Sequence, residues 1–199
     1  RVGLQTSNND TFLRFWYEIA FSNLEIHCYS IQDSLKSDKR WYPHNKGGKY
    51  RRWYGNLQYV IDYKHNGEKL SKSTGSVTIP TKLAFKKGIT FSRLGSGTIS
   101  FRWQISGQIF DSAAVSAFPD EKYIDYVLGA LNTKIITQLV NAISPTLNTQ
   151  PGDIARVPII INSEKIQSTS KMVDKCTLLS INDWDSFEIS WDFKKHPMI

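Results

Sequence analysis

The apolar periodicity of this chain changes once, near Pro119, and the change separates two kinds of structure. Before it, short aromatic and β-branched runs are punctuated by Gly, Ser and Asn, the pattern of brief strands and turns. After it, apolar residues recur at spacings of three and four, the pattern of amphipathic helices. In the first half, residues 12–21, 59–63, 90–93, 98–104 and 108–110 read as strands. His65-Asn66-Gly67 supplies a hairpin turn signal, residues 33–39 and 71–76 read as polar loop, and the Gly47-Gly48 pair marks residues 40–54 as an exposed loop. In the second half, Pro119-Asp120-Glu121 opens a helix in which Tyr123, Val127, Leu128 and Leu131 share a face, with the acidic pair at the positive end of the dipole. A second helix from Thr133 carries Ile135, Ile136, Leu139, Val140 and Ile143 and stops at Pro145. Residues 156–161 read as a further strand and residues 164–179 as a third helix, while the aromatic and acidic residues 184–193 fit no element. The sum is an α+β fold: a twisted, mainly antiparallel sheet in the first half, with helices packed on it from the second. The 199 residues are expected to form a single domain, 1–199, with a basic sheet-rich part, 1–118, and a helical part, 119–199.

Several classes are excluded or set aside by composition. Apolar residues make up 40% of the chain and charged residues 22%, which is globular and not disordered composition. No apolar run approaches the ~18 residues that span a bilayer, so no membrane partner is expected and the location is expected to be cytoplasmic. The first residue is Arg1 and the start lacks the charged-then-apolar pattern of a signal peptide, which reads as a fragment cut from a longer protein. Cys28 and Cys176 lie far apart and are expected to be reduced thiols. His27, His44, His65 and His196 are scattered, so no metal site is expected.

Charge is distributed unevenly. The net charge is +7, yet residues 36–102 hold 15 Lys and Arg against Asp38, Asp62 and Glu68, a local balance of +12. The remainder, with 10 basic and 15 acidic residues, stands at −5. A cationic third joined to a mildly acidic remainder is the asymmetry of a polyanion-binding surface, and double-stranded DNA is the expected partner. For this reading to hold, the positive side chains should converge on one concave surface. Lys46, Lys49, Lys86 and Lys87 are the candidates for phosphate contact, with Arg102 as a further DNA-binding cation. Asn45, Arg51, Arg52, Arg93 and Gln104 carry the amide and guanidinium groups that can read base edges. Trp41, Tyr42, Trp53 and Tyr54 could stack on bases, but large aromatics bury more often than they stack.

Catalytic motifs are sparse. The chain has no GxxxxGK[ST] loop, no GxGxxG turn and no Asn/Asp-Pro-Pro-aromatic clamp for an amino group, and Gly95-Ser96-Gly97 is too short for a nucleophile elbow. One combination allows a different chemistry: Asp111 followed by Asp120 and Lys122 matches the carboxylates and lysine of a Mg²⁺-dependent nuclease. Helix capping and a strand end explain the same residues. A third alternative is a protein-interaction domain whose basic face binds an acidic partner.

Seven stretches also carry a resemblance. These are GLQTSNNDTFLRFWYE (residues 3–18), RWYPHNKGGKYRRWYGN (40–56), KKGITFSRL (86–94), IFDSAAVSAF (109–118), LGALNTK (128–134), SPTLNTQPGDIARVPI (144–159) and DWDSFEISWDF (183–193). Together they resemble the segment that follows the catalytic domain in PglX-type, BREX-associated adenine-specific DNA methyltransferases, and more distantly type IIG restriction-modification enzymes. The resemblance implies a target recognition domain, non-catalytic by itself, that grips DNA while a separate domain of the parent chain methylates adenine. That parent would use S-adenosylmethionine, whereas this fragment would hold no cofactor. The same resemblance implies contact with the methyltransferase domain and with other subunits of a phage-defence system. The chain is compact between residues 70 and 85, where longer insertions are expected in such proteins.

Overall fold

A computed structural model describes residues 1–95 and 98–199; Ser96 and Gly97, part of the Gly-Ser-Gly sequence noted above, lie outside the described residues. The first half runs α1 (Asn9–Phe12), β1 (Leu13–Phe15), α2 (Ile31–Lys36), β2 (Trp41–Asn45), β3 (Tyr59–Asp62), α3 (Lys64–Ser71), β4 (Gly88–Ser92), β5 (Phe101–Gln104), β6 (Ile109–Phe110) and β7 (Ala114–Ala117). Helices α4 (Ile124–Leu131), α5 (Lys134–Ile143), α6 (Pro151–Ala155) and α7 (Ile166–Trp184) follow. Among the described residues every strand therefore precedes residue 119, and the fold is α+β.

The strands form two sheets, not the single sheet expected. The first has the order β1-β3-β2-β6, with β3 antiparallel to both neighbours and β6 parallel to β2. Tyr42 and Ile61 enter one apolar cluster while Trp41 and Val60 enter another, so both faces of the central strands are covered. Burial on both faces removes the polar–apolar alternation that signals a strand, and this is why β2 reads as loop from sequence. The expected exposed loop over residues 40–54 shrinks accordingly to the segment after Asn45. Trp41 and Tyr42 are core residues.

Other boundaries shift for local reasons. Alternation over residues 12–21 yields a strand of only three residues, because the Glu18 carboxylate accepts the Phe15 N–H (2.7 Å) and folds the chain into a 3-10 turn. His65, Asn66 and Gly67 are left-handed, with φ of 50°, 59° and 72°, as their turn chemistry requires. They lead into the helical turn ending at Ser71, and no hairpin forms.

The second sheet, β5-β4-β7, is antiparallel throughout. Ile89, Phe91, Phe101, Trp103 and Val115 face the helices and meet Ile124, Leu128 and Leu131 of α4, Ile136 and Val140 of α5 and Val173 of α7. The second-half helices thus cover this sheet. The second helix starts after Thr133 as expected, and the Thr133 side chain caps it by accepting the Ile136 N–H. The Asn132 side chain, just past α4, pairs with both backbone groups of Phe101 (3.1 and 2.9 Å) and ties helix to strand. Residues 156–161 are not a strand. The Val157 N–H closes α6 on the Ile154 carbonyl, Pro158 has no N–H to offer a ladder, and Ile160 and Ile161 stand in solvent.

Candidate nucleic-acid interface

The cationic segment passes through two different environments. The faces of β4, β5 and β7 turned away from the helices carry Thr90, Arg102, Gln104 and Ser116, and these meet the end of β2 in a buried polar seam. Asn45 Nδ2 donates to Thr90 Oγ1 (3.0 Å), which donates to the Val115 carbonyl (3.1 Å). Gln104 Nε2 donates to the Lys86 carbonyl (3.1 Å) and Gln104 Oε1 accepts from Ser116 Oγ. Asn45, Arg102 and Gln104 are only 2%, 1% and 0% exposed. The strand phase that sends Phe101 and Trp103 to the helices sends Arg102 and Gln104 the other way, and that way is covered by residues after β2. Trp53 bonds the outer edge of β5 through the Phe101 carbonyl and the Trp103 N–H (2.9 Å each).

Arg102 is an unusual member of the seam. Its nearest acceptors, Asn45 Oδ1 and Ser92 Oγ, are neutral and distant at 3.4 Å. Burial, and secondarily the nearby Arg51, lower its pKa to about 10, so it stays charged at neutral pH. Asp111, whose N–H bonds the Asn45 carbonyl (2.9 Å), is also buried. Burial raises its pKa, but His44 Nε2 at 3.2 Å, the Ala113 N–H at 2.7 Å and Lys46 Nζ at 2.9 Å outweigh that and hold it at about 2. His44, wholly buried, is shifted down mainly by desolvation and is neutral. Lys46 is therefore an internal counter-ion as well as a partly exposed cation.

Past Lys46 the chain turns at Gly47 and Gly48, whose φ values of 88° and 131° suit glycine. A Cβ on Gly47 would stand 3.1 Å from the Ala113 carbonyl, so the close approach also favours glycine. This turn forms one wall of an open groove of about 700 Å³. Gly48, Lys49 and Tyr50 stand on one side, Ser92 and Arg93 at the end of β4 form the floor, and Asn141, Ser144, Thr146 and Thr149 line the far side. Among the described residues no carboxylate lines it. Arg93 Nε and Nη2 donate to Asn148 Oδ1 (3.2 Å) and Gln150 Oε1 (2.9 Å), so neutral amides fix the guanidinium and leave its charge uncompensated. Ser92 connects this floor to Arg102 behind it.

The remaining cations lie elsewhere, so the expected convergence on one concave surface is not found. The cationic segment as a whole is not one polyanion-binding face, and among the described residues only the groove of Lys49 and Arg93 keeps that character. Arg40, Lys64, Lys69 and Lys72 line a cleft with Asp62 and Glu68; Lys86 and Lys87 share one with Asp120, Glu121 and Asp125. Lys87 Nζ sits 4.0 Å above the Trp103 ring. Arg51 is an internal tie: it bonds Asp183 and the Tyr54 carbonyl (3.2 Å) and lies 5.0 Å over the Trp184 ring. Arg52 lies 5.8 Å over the ring of Tyr50, on the groove wall.

No family model matches the chain. It is 34% identical over 209 aligned positions to the adenine-specific methyltransferase PglX of Lacticaseibacillus casei (strain Zhang), and 32% identical over 202 to the adenine-specific methyltransferase BrxX of Escherichia coli O9:H4 (strain HS). The alignments take in 100% and 99% of this chain. It spans only 17% and 16% of those two proteins. The similarity is thus to one segment of each methyltransferase.

The nuclease alternative lacks an assembled site. Asp111 lines a cleft with Lys46, Asp120 lines the one with Lys86, and Lys122 Nζ sits 4.6 Å over the ring of Tyr123. Among the described residues no three His, Cys, Asp or Glu side chains are grouped to hold a metal ion. Sequence reasoning missed the far wall of the groove, because Asn141, Ser144, Thr146 and Thr149 carry no charge and follow the cationic segment by some forty residues or more. Both cysteines are free; burial pushes the Cys28 thiol up to about 12. Among the described residues no helix is long and apolar enough to cross a membrane.

Proposed function

We propose that this chain is the DNA target recognition segment of a BREX-type, site-specific adenine-N6 DNA methyltransferase, and that it holds duplex DNA in the groove between Lys49 and Arg93. The observation that carries the reading is the groove itself: the amide-braced Arg93 and the exposed Lys49 beside a set of amides and hydroxyls, with no carboxylate among the described lining residues. Its counterpart is an anionic backbone with hydrogen-bonding edges, and full-length similarity to a segment of two adenine-specific methyltransferases supports the same assignment. Lys49 contacts phosphate, and Arg93 with Asn148 presents donors to phosphate or base edges. Arg52 and Lys46 flank the site. Asn45, Arg102 and Gln104 shape it from behind and do not touch bases. S-adenosylmethionine and the methyl transfer belong to a separate domain of the parent enzyme, which works in the cytoplasm with other phage-defence subunits.

A mobility-shift titration against salt tests this. The expected result is duplex affinity that falls steeply as salt rises. Lys49→Ala with Arg93→Ala should weaken binding about tenfold and flatten the log–log salt slope by roughly 2, one unit for each cation removed. No binding at low salt, or an unaltered slope in the double variant, overturns the reading.

A further inference from the structure

The rim of the same groove carries an apolar feature that phosphate contact does not use. Leu94 and Leu147 are 67% and 68% exposed, and both line the groove beside Arg93. They stand on two backbone segments that pair with each other. Leu94 lies opposite Asn148 in an antiparallel bridge, the Gly95 N–H donates to the Leu147 carbonyl (3.1 Å), and the Thr149 N–H donates to the Arg93 carbonyl (3.0 Å). The Arg93 guanidinium bonds Asn148 and Gln150 across the same pair, locking the two segments together. The leucines are therefore held by a braced rim.

We propose that Leu94 and Leu147 form a wedge that enters a base-pair step of the DNA held in the groove, unstacking it. This rests on the DNA-binding reading above. Charge chooses the occupant: beside the wedge lie Lys49 and Arg93 with no carboxylate among the described lining residues, a setting that draws in a polyanion. Within a duplex, the most extensive apolar surface that could cover two leucines is offered by the faces of the stacked bases. Apolar side chains inserted beside cations unstack and kink DNA in this way, and the bend brings more backbone against the protein. A wedge also needs a rigid backing, which the paired segments and the Arg93 brace supply.

The test uses the purified chain and a mixed-sequence duplex carrying 2-aminopurine at successive positions, with binding followed by anisotropy and stacking by 2-aminopurine fluorescence. The wild-type chain should bind and raise the fluorescence several-fold at one or two adjacent positions. Leu94→Ala with Leu147→Ala should lose that rise while affinity changes less than about threefold, since the phosphate contacts remain. Leu94→Met with Leu147→Met, which keeps an apolar wedge, should retain the rise. Binding without a fluorescence change at any position, or a rise that survives in the double alanine variant, overturns the wedge and leaves the groove reading standing. Absence of wild-type binding overturns both. Thermal melting of each variant separates loss of wedge from loss of fold, and the high exposure of both leucines predicts unchanged melting.

Discussion

Arg93 and Arg102 lie nine positions apart on neighbouring segments of one sheet, yet they inhabit opposite environments. Arg93 stands just past the end of β4, where the chain leaves the sheet, and its guanidinium reaches the open groove on two amide braces. Arg102 sits within β5 opposite Thr90 and is enclosed by the end of β2 and the loop after it. The lesson is that a run of cations in sequence reports total charge, while strand phase and covering segments decide which cations a ligand can meet. The buried seam and the open groove are linked through Ser92, which lines the groove and faces the Arg102 guanidinium at 3.4 Å. Arg102 therefore adds positive field behind a site that it does not enter.

The sharpest test of this contrast removes Arg102. Arg102→Ala leaves a cavity in the seam and should lower unfolding free energy by about 2–5 kcal/mol, the range for truncating large buried side chains. Arg102→Met fills much of the same volume without a buried charge, and because no carboxylate pairs with this guanidinium its stability should match or exceed wild type. Denaturant titration of both variants decides the matter. A methionine variant as unstable as the alanine variant would mean that the charge itself holds the seam together, and the contrast with Arg93 would break down.

Acid offers a second probe of the buried side. The folded Asp111 pKa, about 2, lies below the ordinary aspartate value of 3.8, so its contribution is fully present above pH 4 and is lost as pH falls towards 2. The amount is on the order of 2 kcal/mol. His44 works in the same direction: burial holds it neutral in the folded chain, while the unfolded chain takes up a proton below pH 6.5. Stability should therefore begin to fall below pH 6.5 and fall again below pH 4. His44→Gln should remove the upper step; if urea midpoints of that variant follow the wild-type profile between pH 6.5 and 5, His44 is not the group responsible.

Much of the second half was legible in the sequence. The second helix starts after Thr133, Leu128 and Leu131 face the sheet, and the third helix exists, because amphipathic periodicity survives wherever one face of a helix stays wet. Strand β3 was legible too, as a β-branched run before a left-handed turn. What failed were segments covered on both sides. Trp41 to Asn45 hides its strand character because neither face is exposed, and the charge and amide groups of Arg102 and Gln104 mark them as DNA contacts in sequence although both are buried. Strand β7 escaped notice since Ala114, Val115, Ser116 and Ala117 are too small to give a contrast of polarity. The site was half legible: Lys49 and Arg93 carry charge, whereas the wall from Asn141 to Thr149 has no signature until the chain folds back on β4.

The smallest expected effect gives the finest discrimination, and it concerns Lys86 and Lys87. Both are exposed and lie within the cationic segment, so on total charge they equal Lys49 and Arg93. Their cleft, however, contains Asp120, Glu121 and Asp125, and Lys87 rests on the Trp103 ring. A phosphate approaching them meets three carboxylates at the same time, and the nearby negative charge cancels most of the attraction over a distance shorter than the ~10 Å Debye length at 0.1 M salt. Lys86→Ala with Lys87→Ala should thus change duplex affinity less than twofold. Loss of the Trp103 contact should cost only about 0.5–1 kcal/mol of stability, the usual worth of an exposed cation–π pair. The comparison with Lys49→Ala and Arg93→Ala removes two positive charges in each case, so overall electrostatics is matched and only the surroundings differ. Equal losses of affinity in the two double variants would show that DNA responds to the summed charge of the chain, and the acid-free groove would lose its special standing.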